Sequence, residues 1–134
     1  MSVVAVRSGA AARAGWGRAL VAAYAFMALA ACARSAVQIA THWEDAPVAF
    51  GLSALSGAIY LLAAVSLRRP GRRARLVATI CCSVELAAVL AVGTWSVLDP
   101  SQFPEPTVWS DYGAGYGFFP LALPALGLAW LSGR

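Results

Sequence analysis

Leu76–Leu98, LVATICCSVELAAVLAVGTWSVL, is a nearly unbroken apolar run with one carboxylate, Glu85, close to its middle. As a helix rising ~1.5 Å per residue it crosses the ~30 Å hydrocarbon core of a bilayer and sets Glu85 near the midplane. An ionisable group there costs roughly 3 kcal/mol or more, so it faces protein or water and has a partner. On a helical wheel Glu85 shares its face with Ala78, Cys81, Cys82, Val89, Val92, Ser96 and Asp99. Both the fold and the function turn on what that face meets.

Composition agrees with a membrane solvent. Of the 134 residues 60% are hydrophobic and only 12% are charged, and the mean hydropathy is +0.71. These values exclude an ordinary soluble globular domain. The formal charge of +4 comes from ten basic residues, all of them arginine. All except Arg34 flank apolar runs, so the basic pI describes loops and implies no nucleic-acid face. Cys32, Cys81 and Cys82 all fall inside apolar runs without a CxxC spacing, and adjacent helical cysteines diverge by about 100°. They read as small packing residues.

Working outward, Arg68-Arg69-Pro70-Gly71-Arg72-Arg73-Ala74-Arg75 precedes the central run and predicts a tight, basic hairpin loop. Before it lies a second run, Val48–Leu67, and before that the turn Thr41–Pro47 with Glu44 and Asp45. The first run, 19–40, follows a basic segment with Arg7, Arg13 and Arg18. Leu29-Ala30-Ala31-Cys32 matches a lipobox, but the residues after Cys32 keep a helical, half-apolar pattern. An uncleaved first helix is therefore expected. After the central run, Asp99–Ser110 holds Pro100, Pro104 and Pro106 and reads as extended backbone across the outer surface. A last run, 111–131, contains Pro120 and Pro124 and reads as a kinked helix.

Charge fixes the expected orientation. Arg7, Arg13, Arg18, the five loop arginines and Arg134 fall on one side; Glu44, Asp45, Asp99, Glu105 and Asp111 fall on the other. The positive-inside rule then gives an all-α four-transmembrane-helix bundle, N-in/C-in, forming a single membrane domain over 1–134. Its spans are 19–40, 48–67, 76–98 and 111–131. Trp16, Trp43, Trp95, Trp109 and Trp130 are expected at the two interfaces.

Two charges remain inside the membrane, Arg34 and Glu85. Arg34 shares an arc with Ser35, Gln38, Thr41 and His42; the second helix offers Ala49, Ser53, Ser56, Gly57 and Tyr60 on one face. Tyr112, Tyr116 and Phe119 are candidates for a fourth wall. Together these stripes predict a pocket in the outer half, open to the outside, with Arg34, Gln38, Tyr60 and Glu85 as ligand or ion-pair candidates. Glu85 is then protonated, paired with Arg34, or wetted. Small and hydroxylated residues are also the ordinary packing surface of membrane helices, as in Ser53-xxx-Gly57. Gly113-Ala-Gly115-Tyr-Gly117 follows no strand and reads as close helix approach. No catalytic constellation, metal set or cofactor motif is present, and His42 with Glu44 and Asp45 is a poor zinc set.

Arg34-Ser35-Ala36-Val37-Gln38-Ile39, Val108-Trp109-Ser110 and Gly115-Tyr116-Gly117-Phe118-Phe119-Pro120-Leu121 resemble small four-helix integral membrane proteins of actinobacterial type, a group without assigned activity. That resemblance implies a multi-pass protein of the cell membrane, the inner membrane of a bacterium. The chain is also similar in size and span number to small multidrug resistance transporters. Their essential Glu belongs to the first helix, whereas here the first helix carries Arg34. The expectation is a non-enzymatic accessory or interaction subunit, partnered by the bilayer and by a larger membrane protein or further copies of itself. The alternative is a carrier or binder of a small molecule at Glu85.

Overall fold

The computed structural model describes residues 3–42, 44, 47–103 and 107–132, with 3–13, 42 and 102 by backbone only. Four α-helices carry the fold: α1 (Val3–His42), α2 (Pro47–Arg68), α3 (Arg72–Leu98) and α4 (Phe119–Ser132). Neighbours in sequence pack side by side and α4 returns to α1, which closes a four-membered ring of helices. Among the described residues there is no strand.

The solvent pattern is that of a protein built for lipid. Leu55, Leu61, Leu62, Ile80, Val84, Leu90 and Val97 point outward and are exposed. The interior holds small or polar side chains such as Ala49, Ser53, Ser56, Ala63, Ala78 and Cys82. The buried face of α3 is Ala78, Cys81, Cys82, Glu85, Val89, Val92, Gly93 and Ser96, which matches the wheel except that Asp99 is only half-buried. All five residues expected on one face of α2 are buried.

Close approach of α1 and α2 depends on Gly57. A Cβ there would lie 2.7 Å from Cys32 Sγ and 3.2 Å from the Cys32 backbone nitrogen. The second half of the small-xxx-small pair is thus a backbone contact, as in other membrane helix pairs. Helix α1 continues unbroken through Cys32. The hairpin between α2 and α3 is as short as expected, Arg69–Gly71. Gly71 closes it at φ 106°, where a side chain would be strained.

Helices α1, α2 and α3 are each long and apolar enough to cross a membrane. The fourth run departs from expectation. It is not one kinked helix over 111–131 but a short 3-10 helix, Ser110–Tyr116, set at 97° to α4. With 14 residues, α4 spans only ~21 Å. Asp111, Tyr112 and Gly113 all take left-handed backbone angles. For the two non-glycines this costs about 1–2 kcal/mol each, offset by what the turn makes possible. Asp111 N–H donates to Ser96 Oγ at 2.9 Å, and the Tyr112 hydroxyl shares a 2.9 Å bond with Thr94 Oγ1. The Tyr112 ring lies so close to Gly93 that a Cβ there would be 2.5 Å from it.

The described part of Asp99–Ser110 lies at the surface only in its first turn, the short 3-10 helix Pro100–Gln102 with Pro100 and Ser101 exposed, and then turns inward. Phe103 packs edge-on against Trp95, with ring centroids 4.9 Å apart. Thr107, Val108, Trp109 and Ser110 are all buried. Irregular backbone survives at such a place only if its polar groups are satisfied within protein. Here Thr107 Oγ1 accepts from the N–H groups of Trp109 and Ser110, while Ser110 Oγ accepts from Thr107 N–H. The turn is hydrogen-bonded to itself and can be buried as a unit. Pro104, Glu105 and Pro106 lie outside the described residues, as do Trp43, Asp45, Arg134 and the side chains of Arg7, Arg13 and His42.

Candidate functional site

Every helix contributes to the surroundings of Glu85. Helix α3 buries Glu85 completely, one turn from Cys82. Tyr24 of α1 and Tyr60 of α2 are equally buried, with ring centroids 5.9 Å apart and planes inclined by 46°. Both phenols face Glu85 closely enough to interact with it electrostatically. The Tyr24 hydroxyl lies 3.5 Å from Cys82 Sγ. Gly127 of α4 makes that meeting possible: a Cβ there would sit 2.8 Å from Cys82 Sγ and 3.6 Å from the Tyr24 hydroxyl.

The surroundings of Glu85 are polar but incompletely hydrogen-bonded. Neither carboxyl oxygen of Glu85 has a hydrogen-bond partner, and neither does the Tyr60 hydroxyl or the Trp109 indole N–H, which lies beside Tyr60. Tyr24 is next to Glu85 without completing a bond of good geometry. A buried polar group left in this condition costs about 1–3 kcal/mol, and more when charged. Such groups are rare in native interiors and need a reason.

The four candidates from sequence divide accordingly. Tyr60 and Glu85 meet. Arg34 and Gln38 do not join them. Arg34 is half-buried and donates to the Tyr116 hydroxyl at 3.2 Å, with its guanidinium 6.0 Å from the same ring's centre. It therefore clamps the segment leading into α4, and the direct Arg34–Glu85 pair is absent. The cause is angular: Ser35, one residue on, takes the buried position, and successive helical residues diverge by about 100°. Gln38 is half-buried, with its side-chain carbonyl unpartnered. Phe119 faces outward and does not form a fourth wall.

The outer approach differs from the open pocket expected. Val108 and Trp109 are 2% and 1% exposed and belong to the core. A cavity of about 360 Å³ at the C-terminal end of α3 is lined by Ser96, Pro100, Phe103 and Asp111 and does not extend to Glu85. Ser96 and Glu85 are separated by about 16 Å along α3. Of the five tryptophans, Trp109 is thus core rather than interface, while Trp16 and Trp95 are exposed as a belt requires.

Sequence reading missed Tyr24. The signal was present: stepping inward from Ser35 by fours and threes gives Ala31, Ala28 or Met27, Tyr24 and Leu20, the buried stripe of α1. Trp109 had no comparable signal, because it sits in an irregular turn.

The chain matches no family model, no curated protein and no solved structure. The resemblance to small four-helix membrane proteins therefore rests on the quoted residues alone.

Proposed function

We propose that this chain is a multi-pass protein of the cell membrane, four spans with both ends in the cytoplasm, that binds a small cation, the proton included, at Glu85. The observation that carries the reading is the carboxyl itself, 0% exposed with both oxygens unpartnered. Among the described residues no cation pairs with it, and Arg34 is engaged with Tyr116. A charge at this depth needs a counter-charge, and here it comes from outside the chain. The rings of Tyr24 and Tyr60 suit such a guest, because the face of an aromatic ring attracts a cation. The phenol hydroxyls supply hydrogen bonds once the carboxyl is engaged. Entry from the outer side requires the Thr107–Ser110 turn to move as a unit, and its internal hydrogen bonds let it do so without exposing its own backbone.

The orientation follows from the arginines of the α2–α3 hairpin, which belong in the cytoplasm. The test uses purified protein in detergent and tetramethylammonium, a small cation suited to aromatic faces, as the probe. Wild type should bind it and release protons in proportion, as read by a pH-sensitive dye. Glu85→Gln should release none and bind at least tenfold more weakly. Equal binding by both proteins without proton release overturns the proposal. Co-purification of a stoichiometric larger membrane protein would then support the accessory-subunit reading in its place.

A further inference from the structure

We infer that the arginine-rich end of the bundle holds an anionic glycerophospholipid, its phosphate between Arg18 and Arg68 and an acyl chain along Val21 and Leu67. The inference depends on the helices lying in a bilayer but not on the role proposed for Glu85. A cavity of about 480 Å³ opens there between α1, α2 and α4, lined by Gly17, Arg18, Val21, Leu67, Arg68 and Trp130 among others. A second, of about 310 Å³, adjoins it through Leu67, Arg68 and Trp130 and adds Arg69, Gly71 and Arg75.

Three observations point to a lipid rather than a free anion. First, among the described residues no acidic side chain lies at this end: Glu44, Asp99 and Asp111 are at the opposite end of the helices and Glu85 is mid-helix in α3. Arg18 and Arg68, which line the first cavity, therefore have no carboxylate side chain of the described residues beside them. Second, the cavity is two-sided in character. Arg18 and Arg68 flank a floor of Val21 and Leu67 and a wall made by the Trp130 indole, which matches a phosphate joined to hydrocarbon. A soluble phosphate would use only half of it. Third, the wall is built in. A Cβ at position 17 would lie 2.7 Å from the Trp130 ring, so Gly17 lets the indole lie against α1 and fixes the width of the cleft. Arg75 donates to the Leu131 carbonyl and ties α3 to α4 beside it. Basic pockets between helices on the cytoplasmic side bind anionic headgroups, and Trp belongs at that depth.

The experiment is lipid retention by native mass spectrometry from mixed micelles of phosphatidylglycerol or phosphatidylcholine. Wild type should keep phosphatidylglycerol in preference. Each of Arg18→Gln and Arg68→Gln should weaken retention about fivefold, the effect of about one surface arginine. Arg72→Gln, an equal loss of charge at the same end but outside both cavities, should leave it within about twofold. Three results overturn the inference: equal retention of the two lipids by wild type, an Arg72→Gln effect as large as that of Arg18→Gln, or full displacement of the lipid by inorganic phosphate, which would mark a soluble-anion site. The comparison of the two lipids on wild type decides the matter even where a variant fails to fold. Glu85→Gln should retain the lipid normally, so failure here and failure of the cation site are separable.

Discussion

The left-handed turn ahead of α4 makes a sharp prediction through Gly93. Replacing Gly93 with Ala adds a Cβ that would sit 2.5, 2.9 and 2.9 Å from three carbons of the Tyr112 ring. Real Cβ atoms do not approach so closely, and the ring has little room to retreat. Its backbone is held at φ 61° and its hydroxyl is bonded to Thr94. Overpacking of this kind costs ~1–3 kcal/mol. Against it stands the helix preference of Ala over Gly, ~1 kcal/mol. The net expectation for Gly93→Ala is a loss of ~1 kcal/mol.

Tyr112→Gly removes the obstacle. Alone it forfeits ring packing and the Thr94 bond but relieves ~1 kcal/mol of left-handed strain. In that background Gly93→Ala meets nothing and should stabilise by ~1 kcal/mol. The two changes therefore couple by ~2 kcal/mol, well above the ~0.5 kcal/mol scatter of independent sites. SDS-induced unfolding of the four proteins in mixed micelles measures the cycle. Additivity within that scatter would refute the turn and return residues 111–131 to a plain kinked helix.

Other consequences follow from the same geometry. Thr107→Val should cost ~1–3 kcal/mol, because the buried Trp109 N–H loses its acceptor while Ser110 N–H keeps the Thr107 carbonyl at 3.3 Å; Thr107→Ser should recover most of that in the same unfolding assay. Gly71→Ala forces a side chain onto φ 106° and should lower stability by ~1–2 kcal/mol, read as a drop in the detergent Tm. Glu85→Gln and Arg34→Gln should be additive within ~0.5 kcal/mol, since Arg34 meets Tyr116 instead; strong coupling would reinstate the ion pair. Cysteine probes at Glu44 should label from outside the cell and those at Gly71 should not, which checks the orientation directly.

How much of this was legible in the sequence depends on which regularity each segment obeys. The faces of α2 and α3 were readable almost residue by residue, because a helix in lipid hides small and polar side chains at a 3.6-residue period. Ser53, Ser56, Gly57 and Tyr60 follow that rule, as do Cys82, Glu85, Val89 and Ser96. The hairpin at Gly71 was equally plain, since Pro-Gly between arginines has few other readings. The segment from Phe103 to Phe118 obeys no period. Its path is set by Thr107 and Ser110 bonding each other, by Ser96 catching Asp111 and by Gly93 admitting Tyr112. These are tertiary facts without a local signature. Asp111 and Tyr112 in particular take a conformation that sequence reserves for glycine. The glycines after them, 113 and 117, serve this turn through positive φ, and Gly113 also through the close approach expected of it, since a Cβ there would lie 2.9 Å from Pro120 of α4.

The same distinction governs Glu85. Its depth and its face were fixed by the period of α3, but its partner was not, because a wheel orders residues around one helix and says nothing of reach between two. Arg34 is the other charge inside the predicted spans, so a pair with it stood beside protonation and wetting as one of three expectations. The α1 stripe through Leu20, Tyr24, Ala31 and Ser35 turns Tyr24 to the core and Arg34 aside. A protein that needed only to neutralise Glu85 had an arginine available on the helix diagonally across the ring, and the ~100° step of one residue with which to aim it. The chain spends that arginine on Tyr116, at the base of the turn that covers the outer approach. An acid fully buried beside two phenols, with no described side chain bonded to either oxygen, is the arrangement on which the proposed cation site rests.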